Sequence, residues 1–216
     1  MVMETVDLRR ERRDLYSPKP GRFELVTVPE AGYLTITGHI EPGHRPGDSP
    51  GFDAAVEALY GLAYTLRFAL KKRPADPLDA PVMPLEGQWG ISGDTFDLAR
   101  ADNWEYRLLI AVPDRVGRDD VESARNQLRA KRGDSADIDR LQLERFAEGL
   151  CAQALHVGPY ATEPETMAAL PAFLAEHGLV DLVPQGSPHH EIYLGDPRRT
   201  AQEKLRTILR HPVAAV

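Results

Sequence analysis

The segment His189-His190-Glu191-Ile192-Tyr193-Leu194 brings a carboxylate, two imidazoles and a phenol into one short stretch. Its alternation reads as a strand, and successive strand residues point to opposite faces of a sheet. Ile192 and Leu194 are therefore expected to face the helices, with His189, Glu191 and Tyr193 on the opposite, open side. A carboxylate between an imidazole and a phenol can accept a cation or act as a general base. The same spacing also describes an exposed polar strand edge with no chemistry. Because His189 and His190 point apart, they cannot share a metal ion, and no metal site is expected.

Aromatic side chains form a second group. Tyr60, Tyr64 and Phe68 fall on one helical stripe beside Arg67, Trp89 follows Pro84-Leu-Glu-Gly87, and Trp104 and Tyr106 flank the next strand. Taken singly, each is more often core or edge packing than part of a ligand cage. Cys151 lies on an apolar strand with nothing nearby in sequence to activate a thiol, so it reads as a small buried residue. There is no glycine-rich phosphate loop, GxGxxG fingerprint, GxSxG elbow or HExxH motif.

The elements that must position these residues follow from periodicity. Strands are expected at 23–28 and 33–40, and a helix at 52–72 carries Val56, Leu59, Ala63, Leu66 and Leu70 on one stripe. Strands at 83–91 and 105–112 come next. A helix at about 120–132 has Asp119 and Glu122 at capping-box spacing, and strands follow near 141–145 and 150–157. A Thr162/Glu165 box opens a helix at 162–177 that Pro171 should kink or split, before strands at 189–194 and 205–211. A short helical signal at 8–15 is broken by Tyr16-Ser-Pro-Lys-Pro-Gly21.

The order strand–helix–strand–strand thus occurs twice, without residue identity between the copies. The expectation is an α+β fold in which two βαββ units form one antiparallel sheet, with helices on one face and a ligand groove on the other. A single domain spans 1–216, with an extension at 1–22, half-repeats at about 23–115 and 140–216, and a linking helix at about 119–133.

Charge narrows the partners. The chain has 26 Lys/Arg against 33 Asp/Glu, a formal net charge of −7, which argues against general nucleic-acid binding. Residues 1–22 hold six basic against four acidic residues and 198–211 hold five against one, so −13 is left to the body. Both basic ends read as solvated runs, and the acidic body suits neutral or cationic ligands. No apolar run approaches the ~20 residues of a membrane span. The start, Met1-Val2-Met3-Glu4, has no leader pattern, and the single cysteine fits a reducing, cytoplasmic setting.

Leu155-His-Val-Gly-Pro-Tyr160 before a capped helix and His190-Glu-Ile-Tyr-Leu-Gly-Asp196 in the next strand resemble the GyrI-like small-molecule-binding family. So do Asp7-Leu8, Leu15-Tyr16-Ser-Pro, Leu25-Val-Thr-Val-Pro-Glu30, Glu57-Ala-Leu-Tyr60 with Tyr64, and Pro84-Leu-Glu-Gly87 with Trp89. The likeness covers nearly the whole chain and is greatest to a stand-alone subfamily, the cyclopropanoid cyclopropyl hydrolases, which open strained cyclopropanes of DNA-alkylating natural products in an aromatic cage.

That resemblance implies a groove between the halves, with Tyr64, Trp89 and Tyr106 as cage residues and Glu191 as the central groove glutamate. Phe68 and His189 join them as ligand-binding candidates. Met83 before Pro84, Gly90 after the tryptophan and Pro171 depart from the family pattern. On this reading Glu191 positions or deprotonates a water, and Tyr193 or Tyr106 hydrogen-bonds the oxygen on which charge develops. No cofactor is expected. Two alternatives remain: a module that only sequesters hydrophobic or cationic small molecules, and a protein that interacts with gyrase, as some relatives do. A haem site on His156 or His189 is a weaker fourth.

Overall fold

The computed structural model describes residues 3–91 and 104–216. The strands are β1 (Glu4–Thr5), β2 (Phe23–Val28), β3 (Ala31–His39), β4 (Leu78–Asp79), β5 (Leu85–Trp89) and β6 (Glu105–Val112), then β7 (Gln142–Phe146), β8 (Gly149–Val157), β9 (Leu179–Asp181), β10 (His189–Tyr193) and β11 (Arg206–Ala215). The helices are α1 (Leu8–Glu11), α2 (Arg13–Tyr16), α3 (Pro50–Lys71), α4 (Arg118–Arg132), α5 (Ala136–Arg140), α6 (Glu163–Met167) and α7 (Leu170–His177).

The main sheet runs β2-β8-β11-β10-β5-β6-β3-β7, antiparallel throughout, with β9 added to the far end of β11. Within it, β3-β6-β5 and β8-β11-β10 are mirror-ordered copies that meet where β5 pairs with β10. This is the duplicated α+β architecture expected from the element order. The seam places Glu191 opposite Gly87 and His189 opposite Trp89.

Local chemistry explains where the helices begin and break. Helix α3 starts at Pro50, with the Ser49 side chain accepting from the Phe52 amide and Glu41 accepting from the Gly51 amide. Neither expected capping box forms as drawn. Helix α4 begins earlier, with Asp120 accepting from the Gly117 amide, and Thr162 makes no side-chain cap. Pro171 splits the last helical stretch: it sits in the first turn of α7, where its missing N–H costs nothing.

The basic side chains of both ends are exposed as expected, except half-buried Arg12 and buried Arg210, but the runs are anchored by residues between them. Leu8, Leu15 and Tyr16 of the N-terminal segment are buried, and so are Leu205, Ile208, Leu209 and Arg210 in and before β11. The mean charge of a run says little about residues that alternate between inside and outside.

Candidate functional site

Antiparallel register carries side-chain direction across the sheet, since directly paired residues share a face. One face therefore holds Leu85, Gly87 and Trp89 of β5 with His189, Glu191 and Tyr193 of β10, then Thr207, Leu209 and His211 of β11. The alternation of β10 is as expected, but its relation to the helices is reversed. Phe52 of α3 stacks on Trp89 with centroids 5.8 Å apart and meets Tyr106 edge-on at 5.2 Å. His189, Glu191 and Tyr193 thus lie on the face that carries α3 and, through Tyr160 and Glu163, the start of α6. Ile192 points to the opposite face, which residues 8–16 cover. Burial of an alternate residue identifies a covered face, and here both faces are covered.

Gly87 makes the seam possible. A Cβ on it would sit 3.1 Å from Trp89 Nε1 and 3.1 Å from the Tyr193 hydroxyl. Without one, the indole lies over the glycine, and Trp89 Nε1 donates to the Tyr193 hydroxyl at 3.3 Å. That hydroxyl is also within hydrogen-bonding reach of Glu191. Burial, then the Glu191 charge, raises the phenol well above its ordinary pKa, so it stays a neutral donor. Tyr160 closes the other side, edge-on to Tyr193 at 5.8 Å.

Two carboxylates meet here. Glu163, at the start of α6, is buried, and its Oε1 has no hydrogen-bond partner among the described residues. Burial and the Glu191 charge push its pKa up to about 9, which the nearby Thr207 only partly offsets, so it is a neutral acid at pH 7. Behind Glu191, Oε1 lies 3.2 Å from His189 Nε2, His189 Nδ1 lies 2.6 Å from His211 Nε2, and His211 Nδ1 lies 2.8 Å from Asp181 Oδ2.

The sequence candidates divide accordingly. Glu191, Tyr193, His189 and Trp89 come together. Tyr106 touches the Trp89 ring at 6.0 Å, but its hydroxyl points away, toward Gly38 and Arg140. Tyr64 stacks on Tyr60 at 6.2 Å and is 48% exposed, and Phe68 is 55% exposed. Trp89 is 1% exposed beneath α3, in ring contact with Phe52, Trp104 and Tyr106. The cage of Tyr64, Trp89 and Tyr106 as drawn from sequence therefore does not assemble. Helical pitch turns Tyr64 outward, and Trp89 is a structural support for Tyr193.

Sequence reasoning missed Glu163, because an acidic residue in a first helical turn ordinarily signals dipole compensation. It also missed His211 and Asp181, whose partners are remote in sequence. Tyr160 had a signal, in the Gly158-Pro159-Tyr160 turn.

Other groups are accounted for. Burial, then the Glu148 charge, pushes the Cys151 thiol up to about 12, which leaves it unreactive. His156 is bound by Thr166, Thr162 and the Pro159 carbonyl. Among the described residues no cluster of His, Cys, Asp or Glu is arranged to hold a metal, and no helix is long and apolar enough to cross a membrane.

Comparison with known proteins agrees with this architecture. Residues 49–214 match the family described as the GyrI-like small molecule binding domain. No curated protein matches the chain. Among solved structures it is similar to a conserved protein of Listeria innocua, 36% identical across 97% of this chain and 100% of that one, with TM-score 0.86. A hydrolase from Listeria innocua is 35% identical across 98% of this chain and 100% of that one, with TM-score 0.84. The EcmrR C-terminal domain is 12% identical across 90% and 98%, with TM-score 0.54, a likeness of fold alone.

Proposed function

This chain belongs to the GyrI-like small-molecule-binding domain family, and from that premise we propose that it hydrolyses strained cyclopropanes carried by flat, hydrophobic DNA-alkylating drugs. The observation that carries the reading is the pairing of Glu191 with Glu163, a carboxylate beside a neutral carboxylic acid. Acid–base catalysis at neutral pH requires that combination. The resemblance to the cyclopropyl hydrolases and the similarity to a Listeria innocua hydrolase support it.

In the proposed reaction Glu191 takes a proton from water as the water oxygen bonds to the cyclopropane methylene. A ring C–C bond breaks, and its electron pair passes through the conjugated system to the drug's carbonyl oxygen. Glu163 supplies the proton that this oxygen acquires, and the Tyr193 hydroxyl stabilises the developing charge. The product is the drug plus one water. Ring strain lowers the barrier, so orientation between Tyr160 and Tyr193 with one base and one acid suffices.

The test is to incubate the protein with a duocarmycin-type cyclopropane drug and follow its mass. A gain of one water is expected. Glu191→Gln should keep affinity and slow turnover roughly 10²–10⁴-fold. Full activity in that variant would overturn the assignment. A second reading, binding without chemistry, is favoured by the Glu191 carboxylate beside the Tyr160 and Tyr193 rings, which suits a hydrophobic cation. Tight binding with unchanged drug mass would select it.

A further inference from the structure

Asp181, His211, His189 and Glu191 are linked by three contacts, at 2.8, 2.6 and 3.2 Å. His189 and His211 are buried, their rings perpendicular with centroids 4.9 Å apart. Asp181 reaches solvent, with its side chain 24% exposed. Its other oxygen, Oδ1, accepts from the Val183 amide at 2.9 Å. Among the described residues the titratable groups around Glu191 are His189, Glu163, Tyr193 and Tyr160. The group that faces His211 from β9 is Asp181.

Three contacts need three protons, one in each. A neutral imidazole carries one N–H, and an ionised carboxylate carries none. Two neutral histidines therefore supply two protons, and the third link forces lone pair against lone pair unless one further proton is held. Asp181 decides where the protons lie. As a carboxylate it draws His211 into the Nδ1–H tautomer, so His211 Nε2 accepts from His189 Nδ1–H. His189 Nε2 then faces Glu191, and the extra proton sits in that link. Burial opposes charge on both partners at the far end. It outweighs Asp181 at His211, whose pKa is lowered, while the His211 contact outweighs it at Asp181, whose carboxyl is also lowered.

We propose that Asp181 and His211 are positioning residues that act through His189 to set the protonation of Glu191. The role in turnover rests on the hydrolase reading, but the proton count does not.

Asp181→Asn tests it with minimal change of shape. The Val183 amide keeps the side-chain oxygen at the Oδ1 position, so the amide N–H is turned toward His211 Nδ1. His211 then becomes the Nε2–H tautomer, His189 donates from Nε2 to ionised Glu191, and no extra proton is needed. The expected result, by ¹⁵N-imidazole and ¹³C-carboxyl NMR, is Nδ1–H at His211 in the wild type and Nε2–H in the variant. Glu191, three links from the substitution, should titrate about one unit or more lower in the variant. A third measurement is turnover of the cyclopropane drug, where kcat should fall about 10-fold with KM unchanged. Exposed His177→Gln should alter none of these.

An unchanged His211 tautomer and Glu191 titration in a folded variant would overturn the proposal. So would a wild-type His211 protonated at Nε2 alone, a measurement that needs no variant to fold. If the NMR coupling holds but no drug gains water, the hydrolase reading fails and the proton chain stands.

Discussion

On the even face of β10, His190 sits 3.0 Å from Glu86 and 2.9 Å from Glu148, and Arg210 donates to Glu148 at 3.3 Å. Tyr16 donates to Glu86, and Gln88 donates to Glu148. Burial alone would raise Glu148, but His190 and Arg210 bring it down to about 2. Burial would lower His190, but Glu148 and Glu86 hold it at about 9. Two carboxylates meet two cations, and the charges cancel. On the odd face, one residue away, Glu191 meets a second carboxylate, with no arginine or lysine beside the pair among the described residues. The same residue types on one strand form a compensated cluster on one side and an acid pair in conflict on the other. Structural ionic clusters are neutralised within the core, whereas unresolved charge marks a place where a ligand or proton is expected.

The largest effect that can break this comparison comes from Glu148→Ala, which leaves Arg210 and His190 buried with only Glu86. Urea unfolding should show a loss of about 3–5 kcal/mol. A loss below about 1 kcal/mol would mean that the even face is not held by charge pairing.

Next in size is Glu163→Gln, which should stabilise the protein by about 1–3 kcal/mol at pH 8. The sign follows from linkage. The folded pKa of Glu163 is raised from 4.5 to about 9, so its favourable contribution is complete below about pH 4.5 and is lost as pH rises toward 9. The stability difference between variant and wild type should grow across that window. The even face behaves differently. His190 contributes below about pH 6.5 and loses that contribution toward 9, and Glu148 contributes above about 4.5 and loses it toward pH 2. A pH-independent difference for Glu163→Gln would remove the conflict from the odd face.

A smaller change tests how the odd face is built. Gly87→Ala should cost about 1–2 kcal/mol, because Trp89 or Tyr193 must yield at 3.1 Å. It should also lower ligand affinity, read by fluorescence titration. Unchanged affinity would separate the Trp89–Tyr193 bond from binding. The smallest effect is expected for Tyr64→Ala, within about 0.5 kcal/mol in stability and without loss of affinity. A 10-fold weaker complex would return Tyr64 to the site.

Much of the fold was legible. The doubled strand–helix–strand–strand order, the split at Pro171 and the alternation along His189–Tyr193 all follow from local chemistry that acts within a few residues. Glu191 is singled out in the sequence by its place between an imidazole and a phenol on one parity of the strand, and by the family resemblance. The site around it was only partly legible. Glu163 looked like a helix-start acid, and Tyr64 and Phe68 belong to an aromatic stripe whose direction depends on how α3 is rotated against the sheet.

The sequence by itself determined the two repeats, the strand that carries Glu191 and the residues that share its parity, since period and turn chemistry are short-range properties. Only the tertiary structure decided which face of that strand meets the long helices. Residues 8–16 cover the other face, and burial alone cannot tell one cover from another. Tertiary structure also decided that Asp181 and His211 stand behind His189, and that Glu163 stands before Glu191. Those contacts join β9, β11 and α6 to β10 across the sheet, and no spacing along the chain encodes a hydrogen bond between elements whose pairing is set by the whole fold.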